Sequence, residues 1–268
     1  MSYDLSFDVG AGFNKKSFAA YFRQRRNYEV ANGQAIYQNE NTGVYFIFDA
    51  PEDGVVSFNL NFYRPHVFGL EAAIELGAFA RATGAAASDE SGELGSGGSF
   101  DTQTFLRNWN EGNGFACKVM AKDMDRVYTW PARRIREVWD WNYSRPAEDE
   151  FEEGDIFVPG IFAIEERNQA ISVAVWPPHC PILLPQVDAV LVPINIEEED
   201  CDAAKVPWDE LAALVKPYQE SAAGIARYRL ALDPWPAEID AFFAKRRRAM
   251  KPNGISMDQV LDRELVEA

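Results

Sequence analysis

Two histidines, His66 and His179, and three cysteines, Cys117, Cys180 and Cys201, are the chain's whole stock of imidazole and thiol groups. Only His179 and Cys180 are neighbours. Tetrahedral metal sites favour ligands two to four residues apart, so the expectation is no metal and no cofactor. Adjacent Cys and His also cannot face each other as nucleophile and base, and no Gly-x-Ser-x-Gly elbow occurs. WPPHCPILLP, which carries the pair, reads as an extended proline-rich connection. DVGAGFNKKS (8–17) places glycines between a strand and a helix, as a phosphate cradle does. Lys15, however, stands where the second glycine of that cradle belongs, and its side chain closes the nest of backbone N–H groups. An ordinary turn is expected there. Forty-two acidic residues leave any paired-carboxylate argument free to choose its pair. The acidic loops also lack the fixed Asp/Asn/Gly spacing of a calcium site. No catalytic residue is assigned.

What the residue types do support is a binding surface. VVSFNLNFYRPHVF (55–68) alternates Val56, Phe58, Leu60 and Phe62 against Ser57, Asn59 and Asn61, with Tyr63 following in the polar row. Asparagine is a poor strand former, so two on one face need a reason. Either they join this sheet to the second half of the chain, or they form a recognition patch. Arg64 and His66 come next, and a guanidinium fork suits a carboxylate. Two acid runs are the other candidate surface: EDEFEEGD, with Glu148, Asp149, Glu150, Glu152 and Glu153, and EEEDCD, with Glu197, Glu198, Glu199 and Asp200. Such runs are most often solvated loops.

The charge balance narrows the partners. Against 26 Lys and Arg stand 42 Asp and Glu, a formal charge of −16, which repels phosphate backbones and anionic lipid and steers a basic protein inward. No nucleic-acid and no membrane partner is expected. The N-terminus MSYDLSFDVG has no basic region of a signal peptide, and no apolar run approaches the ~18 residues of a membrane helix. An odd number of cysteines without CxxC spacing suits a reducing compartment, so the expectation is a cytoplasmic protein.

The elements that must position these residues follow from periodicity. SYDLSFDV alternates as a strand, Asn14 is placed to cap the helix KKSFAAYFRQRR, and Glu29–Asn39 and TGVYFIFD are extended. The latter, without clean alternation, is expected to be covered on both faces. Pro51, Asp53 and Gly54 turn the chain into the 55–64 strand. Along 68–83, Leu70, Ala73, Ile74, Gly77 and Ala80 mark a helical stripe, with Glu71 and Glu75 opposite. The order β-α-β-β-β-α predicts an α+β domain, a mainly antiparallel sheet with helices on one face, over 1–88. A Gly/Ser-rich flexible loop (89–100) and a second, smaller α+β half (101–268) follow. In that half, Ser256 and Gln259 form a weak capping box for a terminal helix.

YDLSF, NENTGVYFIFD (39–49), FNLNFYRPHVFGLEA (58–72), DIFVPGIF (155–162), ILLPQVDAVLV (182–192) and VPWDELAALVKPY (206–218) together resemble an uncharacterised family of bacterial cytosolic proteins. The resemblance implies an intracellular protein without an assigned reaction and transfers no catalytic residue. Small acidic proteins of this kind are associated with immunity to bacterial toxins. The expected function is therefore non-catalytic protein binding, most concretely an acidic immunity-type inhibitor of a toxin. An enzyme acting on a small phosphate- or carboxylate-bearing molecule through Arg64, His66 and the Asn59/Asn61 row is the alternative, with an adaptor or chaperone as the third.

Overall fold

The computed structural model describes residues 1–89, 94, 100–145, 156–194, 202–221, 224–231, 235–245 and 249–267. They form an α+β fold in two compact units: Met1–Ala132 with Asp258–Ala268, and Arg133–Met257. This division differs from the one expected at 88–101. Residues 101–132 belong with the N-terminal sheet, and the chain end returns to them. Most of the Gly/Ser-rich segment lies outside the described residues.

In the first unit, β1 (Ser2–Asp8), α1 (Lys15–Arg23), β2 (Tyr28–Ala31), β3 (Gln34–Asn39), β4 (Val44–Glu52), β5 (Val55–Asn61), α2 (Val67–Thr83) and β6 (Ala86–Asp89) follow in order. The strands make one six-stranded antiparallel sheet in the order β2-β3-β4-β5-β1-β6. Sequence periodicity is realised directly. Leu5 and Phe7 of β1, Phe46 and Phe48 of β4, and Val56, Phe58 and Leu60 of β5 point to one face and are buried. That face meets Phe18 and Phe22 of α1 and Phe79 of α2. Asn14 caps α1, its side chain accepting from the Lys16 and Ser17 backbone N–H groups at 2.9 and 3.2 Å. Asp53 and Gly54 turn β4 into β5 with positive φ, beside a bulge in β4.

Two expectations fail here. β4 is covered on one side only: Val44, Phe46 and Phe48 are buried, while Tyr45 and Ile47 on its other face stay half-exposed. The α2 stripe is realised only in part: Ala73, Gly77 and Ala80 are buried as expected, but the apolar and acidic sides do not separate. Glu71 is fully buried and Glu75 nearly so, while Ile74 is 42% exposed. Burial runs most of the way around α2, so one stripe cannot describe it.

α3 (Thr102–Met120), β7 (Tyr128–Trp130) and the chain's end complete the unit. A turn at Met257–Gln259, a strand at Val260–Asp262 and a helix at Arg263–Glu267 replace the single terminal helix expected from Ser256 and Gln259. The terminal strand runs parallel to β7, pairing Val260 with Tyr128 and Asp262 with Trp130. α3 is approached closely at two glycines: a Cβ on Gly69 of α2 would lie 2.6 Å from the buried Trp109 ring of α3, and one on Gly112 of α3 would lie 2.5 Å from the ring of Phe62, which follows β5.

The second unit contains α4 (Ala132–Ser144), β8 (Ile161–Glu166), β9 (Gln169–Val175), β10 (Ile182–Pro185), β11 (Ala189–Pro193), β12 (Ala203–Pro207), α5 (Trp208–Val215), β13 (Gln219–Glu220), β14 (Arg227–Leu230), α6 (Ala237–Ala244), β15 (Ala249–Met250) and β16 (Gly254–Ile255). Its main sheet has the order β15-β12-β11-β9-β8-β16, with β9 and β11 parallel and the other pairs antiparallel. A smaller sheet is ordered β10-β14-β13. Ile164, Val173, Ala189, Leu191 and Ala203 form a buried cluster on the main sheet. Asn142 of α4 clamps Ile161, its amide donating to the Ile161 carbonyl at 2.7 Å and accepting from its N–H at 2.8 Å.

The glycine contacts give a direct test. Gly69→Ala forces its methyl into the Trp109 ring, and an overpacked core of this kind costs about 1–3 kcal/mol. Gly114→Ala, whose Cβ would sit 3.6 Å from Leu265, gains helix propensity without a clash and is expected to be neutral or slightly stabilising. Urea unfolding of both variants should separate them; equal midpoints would contradict this packing.

Candidate functional site

The face of the first sheet that points away from α1 and α2 is open and polar. Register places Ser2, Asp4, Ser6 and Asp8 of β1 opposite Asn61, Asn59, Ser57 and Val55 of β5. Tyr45, Ile47 and Asp49 of β4 share the face, as do Gln34, Ile36 and Gln38 of β3, and Glu29 and Ala31 of β2. Ala86 and Ser88 of β6 complete it. Glu52 of β4 pairs with Val55, so five carboxylates stand on this face, from Asp4, Asp8, Glu29, Asp49 and Glu52, and none of these positions carries Lys or Arg. The side chains pair across strands. Asn59 donates to Asp4 Oδ1 at 2.6 Å, and Gln34 to Asp49 Oδ1 at 2.9 Å. The amide of Asn59 thus answers the carboxylate directly opposite it, which is how an unfavourable strand residue is stabilised in a sheet.

The polar row does not extend to Tyr63. β5 ends at Asn61, and Tyr63 has φ of +63°, which turns the chain off the sheet. Arg64 lies at the Tyr45 corner of the face. Its Nε donates to the Tyr45 hydroxyl at 3.0 Å, Nη2 contacts the same hydroxyl, and Nη1 donates to the Tyr63 carbonyl at 2.8 Å. The guanidinium also lies over the Tyr45 ring and 3.8 Å from the Asp258 carboxylate. Its backbone is held too: Asn113 of α3 accepts from the Arg64 N–H at 3.1 Å and donates to its carbonyl at 2.8 Å. Arg64 is a pin between β4, α3 and the chain end.

His66 is bound in the same way. Asp262, 1% exposed, accepts from the His66 backbone N–H at 2.7 Å and lies 2.5 Å from Nδ1 of its ring. One carboxylate therefore orients the imidazole and occupies the start of α2, where free N–H groups and the helix dipole favour negative charge. Beside it Cys117 is fully buried. Burial, together with the nearby Asp262 charge, pushes its thiol up to about 12, so it is no nucleophile at neutral pH. Burial raises the Tyr63 hydroxyl as well, with Cys117 adding to the effect.

Of the residues singled out in the sequence, Asn59 and Asn61 share the open face, Arg64 borders it, and Tyr63 and His66 belong to the corner behind it. Glu148, Asp149, Glu150, Glu152, Glu153, Glu197, Glu198, Glu199 and Asp200 lie outside the described residues. Asp4, Asp8, Glu29, Asp49 and Glu52 are not among the site residues singled out from the sequence, although the alternation of β1 puts Asp4 and Asp8 on its polar side. Asp262 and Asn113 had no local signal. Among the described residues no cluster of His, Cys, Asp and Glu can hold a metal ion, and no helix is long and apolar enough to cross a membrane.

Two outcomes follow. Asp262→Ala strips a charged acceptor from the His66 ring and from the α2 terminus, and should lower stability by about 2–4 kcal/mol in urea melts. A loss under about 0.5 kcal/mol would contradict the role given to this carboxylate. Cys117 should stay unlabelled by iodoacetamide near pH 8.5 in the folded protein, where a free thiol is about half ionised, and should react in concentrated urea. Because its folded pKa is raised, the stability it confers is complete below about pH 8.5 and is lost as pH climbs toward about 12.

No family model, no curated protein and no solved structure matches this chain.

Proposed function

We propose that the protein acts by binding another protein without making or breaking a covalent bond, in its most concrete form as an acidic immunity-type inhibitor that covers a basic toxin domain. The observation that carries this reading is the open face of the first sheet, which displays Asp4, Asp8, Glu29, Asp49 and Glu52 among Ser, Asn and Gln with no Lys or Arg at its strand positions. A net charge of −16 gives the same sign over longer range. Six strands about 4.8 Å apart and seven residues of about 3.3 Å rise give a surface roughly 24 by 23 Å. That is at most about 550 Å² in projection, about two thirds of the ~800 Å² that each partner contributes to a standard interface. Half-buried Tyr45, Ile36 and Ile47 supply an apolar centre inside a polar rim, the usual anatomy of a recognition patch.

The enzyme alternative loses support from the same geometry. Arg64 is engaged by Tyr45, the Tyr63 carbonyl and Asp258, and His66 by Asp262, so neither presents a free charge to a small anion. Those bonds explain both side chains without a substrate.

Affinity capture from the native host separates the readings. The unmodified protein should retain a basic partner at low salt and release it near 1 M salt, where the Debye length falls to about 3 Å. A variant carrying Asp4→Lys, Asp8→Lys and Asp49→Lys should retain at least about tenfold less, since like-charge contacts cost several kcal/mol. Unchanged capture by that variant would sink the proposal. So would turnover of a metabolite by the purified protein that disappears when Arg64 or His66 is replaced.

A further inference from the structure

A cavity of about 430 Å³ lies in the second unit, between the ends of β9 and β11 and the helix α6. Its floor is Trp176, which is fully buried. Two further rings stand against that indole: Trp235 at 6.4 Å and 76°, and Phe243 at 5.1 Å and 83°. Both are half-exposed, so they turn aromatic surface into the space. At the mouth are Asp240 and His179, with side chains 49% and 65% exposed. Asp240 is held in place: its Oδ1 accepts from the Trp235 indole N–H at 3.0 Å and lies 3.7 Å from His179 Nδ1. Among the described residues of the lining, Asp240 is the one carboxylate and none is Lys or Arg.

We infer that this cavity binds a small molecule bearing an organic cation, of the alkylammonium class, with the cation between the Trp235 and Phe243 rings and the Asp240 carboxylate. Aromatic faces carry negative potential and attract ammonium and quaternary ammonium groups, whose methyl groups also bury against the rings. A carboxylate at the same mouth adds full charge, and an anionic ligand would meet repulsion from it. The volume falls within the ~300–1,000 Å³ of ordinary small-molecule sites and exceeds a bare ammonium ion, so the cation is the head of a larger body. Pro178, Pro193 and Ile194 offer that body an apolar rim.

Two independent features mark the place as more than a surface dent. The Trp176 indole N–H has no hydrogen-bond partner although it is buried, an exception that native interiors rarely keep without a reason. His179 holds φ of +59°, a left-handed conformation that a non-glycine residue adopts at a cost and that gathers at ligand sites. The site shares no residue with the sheet face proposed above to take a protein partner, so either can fail without the other.

The test uses the full-length protein and two probes of matched shape: choline, and its neutral carbon analogue 3,3-dimethyl-1-butanol. Indole N–H resonances and calorimetry should show choline binding, with the Trp235 resonance shifted and the neutral analogue at least about tenfold weaker. Asp240→Asn keeps an oxygen to accept the Trp235 N–H while removing the charge. It should weaken choline about tenfold and leave the analogue unchanged. Trp235→Ala, checked for folding by its unfolding midpoint, should abolish both. Equal affinity for the two probes, indifference of choline to Asp240→Asn, preference for a neutral sugar such as glucose, or no shift of the Trp235 resonance by choline would each overturn the inference.

Discussion

Aromatic burial on one side of the first sheet is the constraint from which the rest of that unit follows. Phe7, Phe46, Phe48 and Phe58 project from neighbouring strands into one layer, where Phe22 of α1 and Phe79 of α2 meet them. The rings interlock rather than stack loosely. Phe7 meets Phe79 at 5.3 Å and 87°, Phe22 meets Phe48 at 4.9 Å, and Phe48 meets Phe58 at 5.0 Å. Each fully buried Phe contributes on the order of 2–3 kcal/mol, and a slip of one residue in β1 or β5 would exchange that layer for Ser, Asp and Asn. Register is therefore fixed by burial. The same restriction leaves much of the opposite face to polar side chains: Phe7 is flanked in sequence by Ser6 and Asp8, Phe58 by Ser57 and Asn59, and Phe48 on one side by Asp49.

Carboxylates buried beneath that layer set where the helix lies on the sheet. Glu71 accepts from the Tyr37 hydroxyl at 2.6 Å and from the Asn39 amide at 2.7 Å. One turn on, Glu75 accepts from Arg25 at 2.7 Å and from the Tyr28 hydroxyl at 3.1 Å. Burial raises the Tyr28 and Tyr37 hydroxyls, and the facing glutamates raise them further, so both stay protonated and serve as donors. A buried carboxylate without such partners would be costly, which makes these contacts demanding about geometry. They join α2 to Arg25, just after α1, and to the β2–β3 hairpin in one arrangement. The apolar layer gives the unit its stability, and the glutamates select which placement of α2 is allowed.

These roles explain which parts of the molecule can be read from the sequence. β1, β5, the Asn14 cap and the Asp53-Gly54 turn depend on residues a few positions apart, and their patterns announce them. Glu71 and Glu75 mislead because helical periodicity assumes one dry stripe and one wet one, whereas α2 is enclosed on most sides. Their partners lie more than thirty residues away, at Arg25 and in β2 and β3. The chain end is opaque for the same reason. Nothing near Asp262 indicates that its strand will pair with β7 or that its carboxylate will take the start of α2. The cavity around Trp176 likewise needs residues from 176 to 243, and only their separate aromatic character shows in the sequence.

Asparagine carries the clearest consequence for function. One reading of Asn59 and Asn61 was that they satisfy backbone groups of another part of the chain. Buried asparagines do perform that work, but they are Asn113, which holds both backbone groups of Arg64, and Asn142, which holds both backbone groups of Ile161. Each sits on a helix and turns a two-armed amide onto one residue of a neighbouring segment, so all four hydrogen bonds stay inside the unit that makes them. Asn59 instead bonds only to the carboxylate across from it, on a surface where water can replace either partner. A side chain that closes a structural gap is buried with its donors and acceptors spent. The sheet-face amides and carboxylates are partly solvated and retain unused hydrogen-bonding capacity, which is the physical condition for exchanging water for a partner's groups.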